Sequence, residues 1–337
     1  MESKIFKILS IDGGGIKGLY SAAFLAKIEE KLDKKAGDCF DMICGTSTGG
    51  LIALGLACGK PASELRDLYY NHGQEIFPTS NNKFIRFFQL KVFNTIKQTF
   101  WGGKFSNNAL RVHLEKVFAT RTLGELNNLV CIPSFNLVKG MPRIFKYPHT
   151  EGGFFKDKDI PIVDAALATS AAPTYLPIHE HEKVLYVDGG VWANNPSLCG
   201  LLEAIMYFVG EGKEYNSLEI LSVPTITQPS GWVSGVSKKR SFLGWKSKLI
   251  QTSMDGQAYF ADFFLDKALN RIVPNAKYIR VKTPELSKDQ MNTIEMDRAD
   301  QKALDTLKIL GEHDGAEYAL KEEIINFFNT DKTYKIR

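Results

Sequence analysis

The sequence has little of what marks several common classes of protein. Its 337 residues include only five cysteines, with no C-x-x-C pair, which argues against a disulfide framework or a cysteine metal site. No stretch has the apolar length of a membrane span, and the first residues lack the long apolar core of a signal peptide. The net charge of +4 is too small to indicate a nucleic-acid polymer as partner. We therefore expect buried free thiols and a cytoplasmic protein.

What is present is an alternation of apolar runs typical of strands with segments of helical periodicity. The strand candidates are KIFKILSI, CFDMICG, LVCIPSFNLV, RIFKYP, VLYVDGG and LEILSVPT. Helix candidates include PIVDAALATSAAP and SLCGLLEAIMYFV, and residues 300–329 indicate two helices hinged at Gly311 and Gly315. Such alternation predicts an α/β fold whose sheet is covered on both faces.

A glycine-rich turn follows the first strand candidate. The stretch SIDGGGIKGLY matches G-x-G-x-x-G at Gly13, Gly15 and Gly18, which is the fingerprint of a dinucleotide-binding turn. In such folds, however, the first glycine follows the strand directly, and an acidic residue ends the next strand to bind the ribose. Here Asp12 intervenes, and the next strand candidate ends in ICGTSTGG. The anion held by this loop is therefore an open question at this point.

A second glycine-framed turn, GTSTGG, fits G-x-S-x-G with Ser47 at its centre. A strand candidate ends just before it and an apolar helix follows, which is the placement of a nucleophile elbow. The helix N-terminus would also favour negative charge that develops at the serine. The alternative is an ordinary tight turn whose serine only caps the helix.

A serine nucleophile needs a base, and Asp188 in YVDGG is the better candidate. None of the six histidines lies in a turn rich in small residues, and we interpret His179 and His181 as part of a solvated strand-edge loop without a role. Asp188 ends an apolar strand candidate, where partial desolvation would raise its pKa and make it a stronger base. The alternative is a turn aspartate that binds its own backbone.

Taken together, DGGGIKG, GTSTGG and the DGG that follows ATSAAPTYLP resemble the patatin-like phospholipases, in the same order along the chain. The resemblance covers about residues 5–200. It implies a three-layer α/β/α fold with a mostly parallel central sheet. We expect a single domain over residues 1–337, with a helical C-terminal extension of unknown role at 285–337.

The resemblance also implies the chemistry: a Ser–Asp dyad without histidine or metal, which cleaves ester-linked fatty acids from membrane glycerophospholipids. The implied roles are Ser47 as nucleophile, Asp188 as proton acceptor, Gly13, Gly14 and Gly15 as the oxyanion hole, Lys17 and Gly18 as support of that loop, and Gly45 and Gly49 as the elbow glycines. Lys17 departs from the family, which usually has arginine there, and lysine lacks the planar fork for a bidentate contact. On this reading the loop binds a transient oxyanion.

Two segments rich in basic and aromatic residues, 83–104 and 230–250, suggest contact with an anionic membrane surface. The alternative for 83–104 is a core-facing helix with a solvated basic edge. The second segment reads as a lid or docking loop. We therefore expect the protein to lie at the inner face of the membrane when active.

The short chain further resembles the bacterial effectors of anti-phage signalling. These are phospholipases activated by a cyclic dinucleotide, which a partner nucleotidyltransferase would supply. We expect no other cofactor, and a homo-oligomer is left open. The alternatives are a constitutive or secreted-toxin-like lipid acyl hydrolase and, from another class, an NAD(P)-binding oxidoreductase that uses the glycine loop. A catalytically dead scaffold is hard to reconcile with three intact motifs.

Overall fold

The structure, a computed structural model, describes residues 4–77, 106–149, 156–226 and 247–336. Within these residues the fold is built on one sheet of eight strands. The strands are β1 (Ile5–Ile11), β2 (Met42–Gly45), β3 (Leu129–Asn136), β4 (Met141–Lys146), β5 (His179–His181), β6 (Val184–Asp188), β7 (Ser217–Val223) and β8 (Lys277–Arg280).

Twelve α-helices accompany the strands in the described part of the chain. They are α1 (Gly18–Leu32), α2 (Ala36–Cys39), α3 (Thr48–Ala57), α4 (Ala62–Ile76), α5 (Asn108–Phe118), α6 (Ile162–Ser170), α7 (Gly190–Ala193), α8 (Ser197–Tyr207), α9 (Ser247–Ile272), α10 (Lys288–Thr293), α11 (Gln301–Tyr318) and α12 (Glu322–Phe328). Single 3₁₀ turns lie at Gly15–Lys17 and Leu123–Glu125.

The strand order is β5-β6-β3-β2-β1-β7-β8, with β4 paired to β3. The four pairings from β3 through β2, β1 and β7 to β8 are parallel, whereas β4, β5 and β6 pair antiparallel. Every residue of β7 is buried, as is every residue of β1 except the first. Strands apolar on both faces require helices on both sides of the sheet, so the predicted α/β fold with a mostly parallel sheet is confirmed.

Two strands share one edge of β3, and this arrangement positions the site. β4 pairs with residues 131–136 along one edge of β3. β2 pairs with residues 129–131 and β6 with residues 134–136. Because β4 occupies one edge, β2 and β6 lie end to end along the other. β2 runs parallel to β3 and β6 runs antiparallel, so the ends of these two strands, at Gly45 and Asp188, face each other.

The C-terminal helices differ from the sequence prediction in one respect. We expected a hinge at Gly311 and Gly315, but α11 runs unbroken through both, and the helices separate only after Tyr318. A Cβ added at Gly311 would lie 2.4 Å from the Tyr20 carbonyl oxygen, and one at Gly315 would lie 2.6 Å from that of Phe24. These glycines therefore allow α11 to pack closely against α1.

Other expectations concern the surface and the thiols. The basic and aromatic segment 83–104 lies outside the described residues, as does 230–250 apart from its last four residues, which begin α9. Among the described helices, none is both long and apolar enough to cross a bilayer. All five cysteines are free thiols, and only Cys58 is partly exposed.

Candidate active site

The turn between β2 and α3 holds Ser47 in a strained conformation. Ser47 has φ 53° and ψ −125°, a backbone conformation that L-residues rarely adopt, and it precedes the first residue of α3. A Cβ at Gly45 would lie 2.1 Å from the carbonyl oxygen of Gly49, and one at Gly49 would lie 2.2 Å from that of Ile11. Only glycine fits at either position, as expected for a nucleophile elbow.

Neighbouring hydroxyl groups hold this turn in place. The Ser47 N–H donates to Thr169 Oγ1 at 3.0 Å, and the Thr169 hydroxyl in turn donates to the Pro133 carbonyl at 2.5 Å. Thr46 Oγ1 donates to the carbonyl of Ala193 at 2.6 Å. The strained serine is therefore fixed to α6, β3 and the segment after Asp188, which together keep its orientation.

Asp188 lies at the end of β6, where its carboxylate interacts with the Ser47 side chain. Its Oδ1 accepts the Gly190 N–H at 2.7 Å. The side chain is almost completely buried, and burial raises the pKa of Asp188 from 3.8 to about 6, although the Ser47 side chain and the Gly190 N–H oppose this. The carboxylate is therefore a stronger base than an ordinary aspartate and is still ionised at neutral pH.

The glycine loop lies beside this pair, but its three amides are not equivalent. The Gly13 N–H donates to the Asn194 carbonyl at 3.0 Å, so it is not available as the oxyanion donor that we expected. A Cβ at Gly13 would also lie 3.3 Å from the Ser47 Cβ, so the glycine allows close approach. Among the described residues, nothing accepts the N–H groups of Gly14 or Gly15, and Gly15 lines the same pocket as Ser47 and Asp188.

The two residues expected to support the loop, Lys17 and Gly18, have different environments. Gly18 begins α1, where an added Cβ would lie 2.0 Å from Thr48 Oγ1, so this glycine allows α1 to approach the elbow. Lys17 is buried, and burial lowers its pKa although the charge of Asp255 raises it. Lys17 does not line the pocket.

A buried ion pair that sequence reasoning missed anchors the loop. Both terminal nitrogens of Arg280, at the end of β8, donate to the carboxylate of Asp12, with distances of 2.6 and 3.3 Å. Arg280 also donates to Ser222 Oγ at 2.7 Å. Because Asp12 directly precedes Gly13, this bidentate contact fixes the start of the glycine loop.

An apolar pocket opens over Ser47 and Asp188. Its walls come chiefly from α3, α4, α5, α9 and the segment after α6, with Leu51, Tyr69, Leu110, Leu176 and Met254 among the lining residues. Such a concave apolar surface with a few polar groups at one point suits a hydrocarbon chain with one reactive carbonyl.

Five of the six histidines contact carboxylates away from the Ser47–Asp188 pair. His72 and His113 contact Glu75, and His149 contacts Glu203. His179 and His181 contact Asp164 from the edge strand β5. His179 is buried, which corrects the expectation of a solvated loop.

A strained serine between strand and helix, next to a buried carboxylate and to backbone amides that find no acceptor in the described part of the chain, defines a hydrolase site of the serine type. The profile of the family described as patatin-like phospholipase matches residues 9–198, which include the glycine loop, the elbow and Asp188. The chain belongs to this family and is a phospholipase-type hydrolase with the patatin fold. The oxidoreductase alternative finds no support, because the family match covers the very loop on which it rested.

Three curated relatives share the description cGAMP-activated phospholipase. The protein from Pseudomonas aeruginosa is 33% identical over 327 residues, which cover 96% of this chain and 91% of that protein. The one from Escherichia coli is 31% identical over 342 residues, covering 96% and 92%. The one from Vibrio cholerae is 38% identical over 251 residues, covering 71% and 69%.

Proposed function

We propose that this chain hydrolyses acyl esters of membrane glycerophospholipids through Ser47 and Asp188, under the control of a cyclic dinucleotide. The observation that carries the chemistry is the proximity of the Ser47 side chain to the buried Asp188 carboxylate, at the polar end of an apolar pocket. The family provides the reaction class, and the geometry supports the assignment of the residues.

In the acylation half, Ser47 Oγ attacks the ester carbonyl carbon while Asp188 takes the hydroxyl proton. The carbonyl oxygen becomes an oxyanion, for which the N–H groups of Gly14 and Gly15 are the available donors of the loop. Removal of one such donor typically lowers the rate about 10²–10³-fold. Collapse of the intermediate breaks the ester bond, and the protonated Asp188 returns the proton to the departing alkoxide.

In the deacylation half, a water molecule attacks the acyl-serine and gives its proton to Asp188. The second tetrahedral intermediate collapses, the proton returns to Ser47 Oγ, and the fatty acid leaves. Each proton that Asp188 accepts is returned within the cycle, so the residue needs a pKa close to the working pH. A pKa of about 6 meets this requirement.

The proposed regulation is inferred from the descriptions of the curated relatives. Three proteins that match most of this chain are described as cGAMP-activated phospholipases, which supports a cyclic dinucleotide as activator. We place the active protein in the cytoplasm at the inner face of the membrane, as an antiviral effector whose activator comes from a partner nucleotidyltransferase.

The test is hydrolysis of phospholipid vesicles by the full chain, with and without a panel of cyclic dinucleotides that includes cGAMP. We expect fatty-acid release to rise with cGAMP in the wild type and to be absent in Ser47→Ala under all conditions. The matched control is Ser170→Ala, which removes a pocket-lining hydroxyl that donates to the Ala166 carbonyl of its own helix, and which should remain active. Strong activity without any nucleotide would favour the constitutive alternative, and activity in Ser47→Ala would refute the dyad.

A further inference from the structure

A cluster of two histidines and one glutamate lies between α4 and α5, away from the Ser47–Asp188 pair. His72 and Glu75 lie one helical turn apart on α4, and His113 reaches them from α5. Glu75 Oε1 is 3.2 Å from His72 Nδ1, and Glu75 Oε2 is 2.8 Å from His113 Nε2. One ligand atom from each residue lies within 4.8 Å of the other two, which holds for no other such group among the described residues.

The geometry of this cluster suits a cation that all three side chains share. Both histidine rings present a nitrogen to the same carboxylate, His72 through Nδ1 and His113 through Nε2. The rings are stacked with their centroids 4.0 Å apart, so α4 and α5 hold them side by side. A divalent cation can bind the lone pairs of these two nitrogens when each neutral ring carries its proton on the outer nitrogen.

We propose that His72, Glu75 and His113 form a binding site for a divalent cation of the zinc class. Two imidazole nitrogens and one carboxylate oxygen are a zinc donor set, whereas Ca²⁺ and Mg²⁺ prefer oxygen ligands throughout. Two ligands of a tetrahedral zinc ion at about 2.0 Å lie about 3.3 Å apart. The nitrogen–oxygen separations, 3.2 Å to Glu75 Oε1 and 2.8 Å to Glu75 Oε2, are close to that value, and the three ligand atoms lie within 4.8 Å of one another.

The ion would stabilise one wall of the pocket and take no part in bond cleavage. Tyr69 and Ile76 of α4 line the pocket, as does Leu110 of α5. These residues lie within one helical turn of the three ligands. A bond through the ion from Glu75 to His113 would close a loop of 38 residues, which restricts the unfolded chain and favours the packed helices.

The experiment is calorimetric titration of the metal-free full chain with Zn²⁺, supported by the visible absorption of Co²⁺ as a probe of tetrahedral coordination. Thermal melting with and without Zn²⁺ gives a second readout. The variants are His72→Ala and Glu75→Gln, because the His72 and Glu75 side chains are 39% and 58% exposed and their loss should leave the fold intact. The matched control is His181→Ala, which disrupts a different contact between a histidine and a carboxylate, that with Asp164.

We expect one Zn²⁺ per wild-type chain, a higher melting temperature with Zn²⁺, and at least a tenfold loss of affinity in His72→Ala and Glu75→Gln but not in His181→Ala. The proposal is overturned if the wild type shows no saturable binding. It is also overturned if both variants bind as the wild type does, which would point to the thiols, or if His181→Ala loses affinity equally. None of these outcomes depends on the phospholipase activity.

Discussion

Replacement of Asp188 by asparagine should abolish activity and at the same time stabilise the fold at neutral pH. Burial raises the pKa of Asp188 from 3.8 to about 6, so folding disfavours its ionised form. Each pH unit between these values corresponds to about 1.4 kcal/mol, which amounts to about 3 kcal/mol of lost unfolding free energy once the group is ionised in both states. Asparagine has no charge to desolvate, and its oxygen can still accept the Gly190 N–H.

The size of this stabilisation depends on pH in a way that can be measured. Below pH 3.8 the carboxyl group is protonated in both states and the penalty vanishes; it grows as the pH rises towards 6 and is constant above that value. Denaturant unfolding of the wild type and Asp188→Asn at pH 7.5 and 4 should therefore show the variant more stable at pH 7.5, by up to about 3 kcal/mol, with the difference mostly lost at pH 4.

The matched control, Asp164→Asn, should change the free energy of unfolding in the opposite direction. Burial raises the pKa of Asp164, but its close contact with His179 and the charges of His181 and His179 outweigh this, so the pKa is lowered overall. Asp164→Asn should accordingly destabilise the fold at pH 7.5, and this loss should shrink as the pH falls through the pKa of the folded state. An Asp188→Asn variant that hydrolyses ester, or that is less stable than the wild type at pH 7.5, would refute the reasoning.

Three further predictions concern the loop and the base. Gly15→Ala should lower kcat about 100-fold or more, because Gly15 has φ +60° and an added Cβ would lie 2.2 Å from the Met296 carbonyl oxygen, which displaces the loop and also lowers the melting temperature; steady-state kinetics of the folded variant, well below its melting temperature, checks this. The pH profile of kcat/KM should fall about tenfold per pH unit below about pH 6, as Asp188 becomes protonated; an acid limb near pH 4 would contradict the raised pKa. Arg280→Lys keeps the charge but loses the fork on Asp12, so kcat should fall about tenfold with KM unchanged; wild-type kcat would exclude a positioning role.

Local patterns predicted the elements of this fold and the serine turn well. The strand candidates match β1–β4, β6 and β7, and Gly45 of GTSTGG is required by a contact within its own turn, with the Gly49 carbonyl. Asp188 could be found only because its motif is itself local, at the end of an apolar strand. That it meets Ser47 follows from β2 and β6 sharing one edge of β3, a feature of the pairing register.

The remaining features depend on contacts that no local pattern carries. Arg280 and Asp12 are 268 residues apart, and nothing in the sequence around Arg280 distinguishes it from a surface charge. The bond from Gly13 to Asn194 likewise joins two distant turns, and it removes one of the three expected oxyanion donors. The sequence indicates a hinge at Gly311 and Gly315, whereas in the structure both glycines serve close helix packing. A glycine required by close packing looks the same in the sequence as one that ends a helix.

The most direct test of the central claim is covalent labelling of the full chain by a fluorophosphonate probe, followed by identification of the modified peptide. The account predicts one modified residue, Ser47, with labelling lost in Ser47→Ala, strongly slowed in Asp188→Asn and retained in Ser170→Ala. Labelling of another serine, or complete loss of phospholipid hydrolysis while Ser47 stays unmodified, would contradict it.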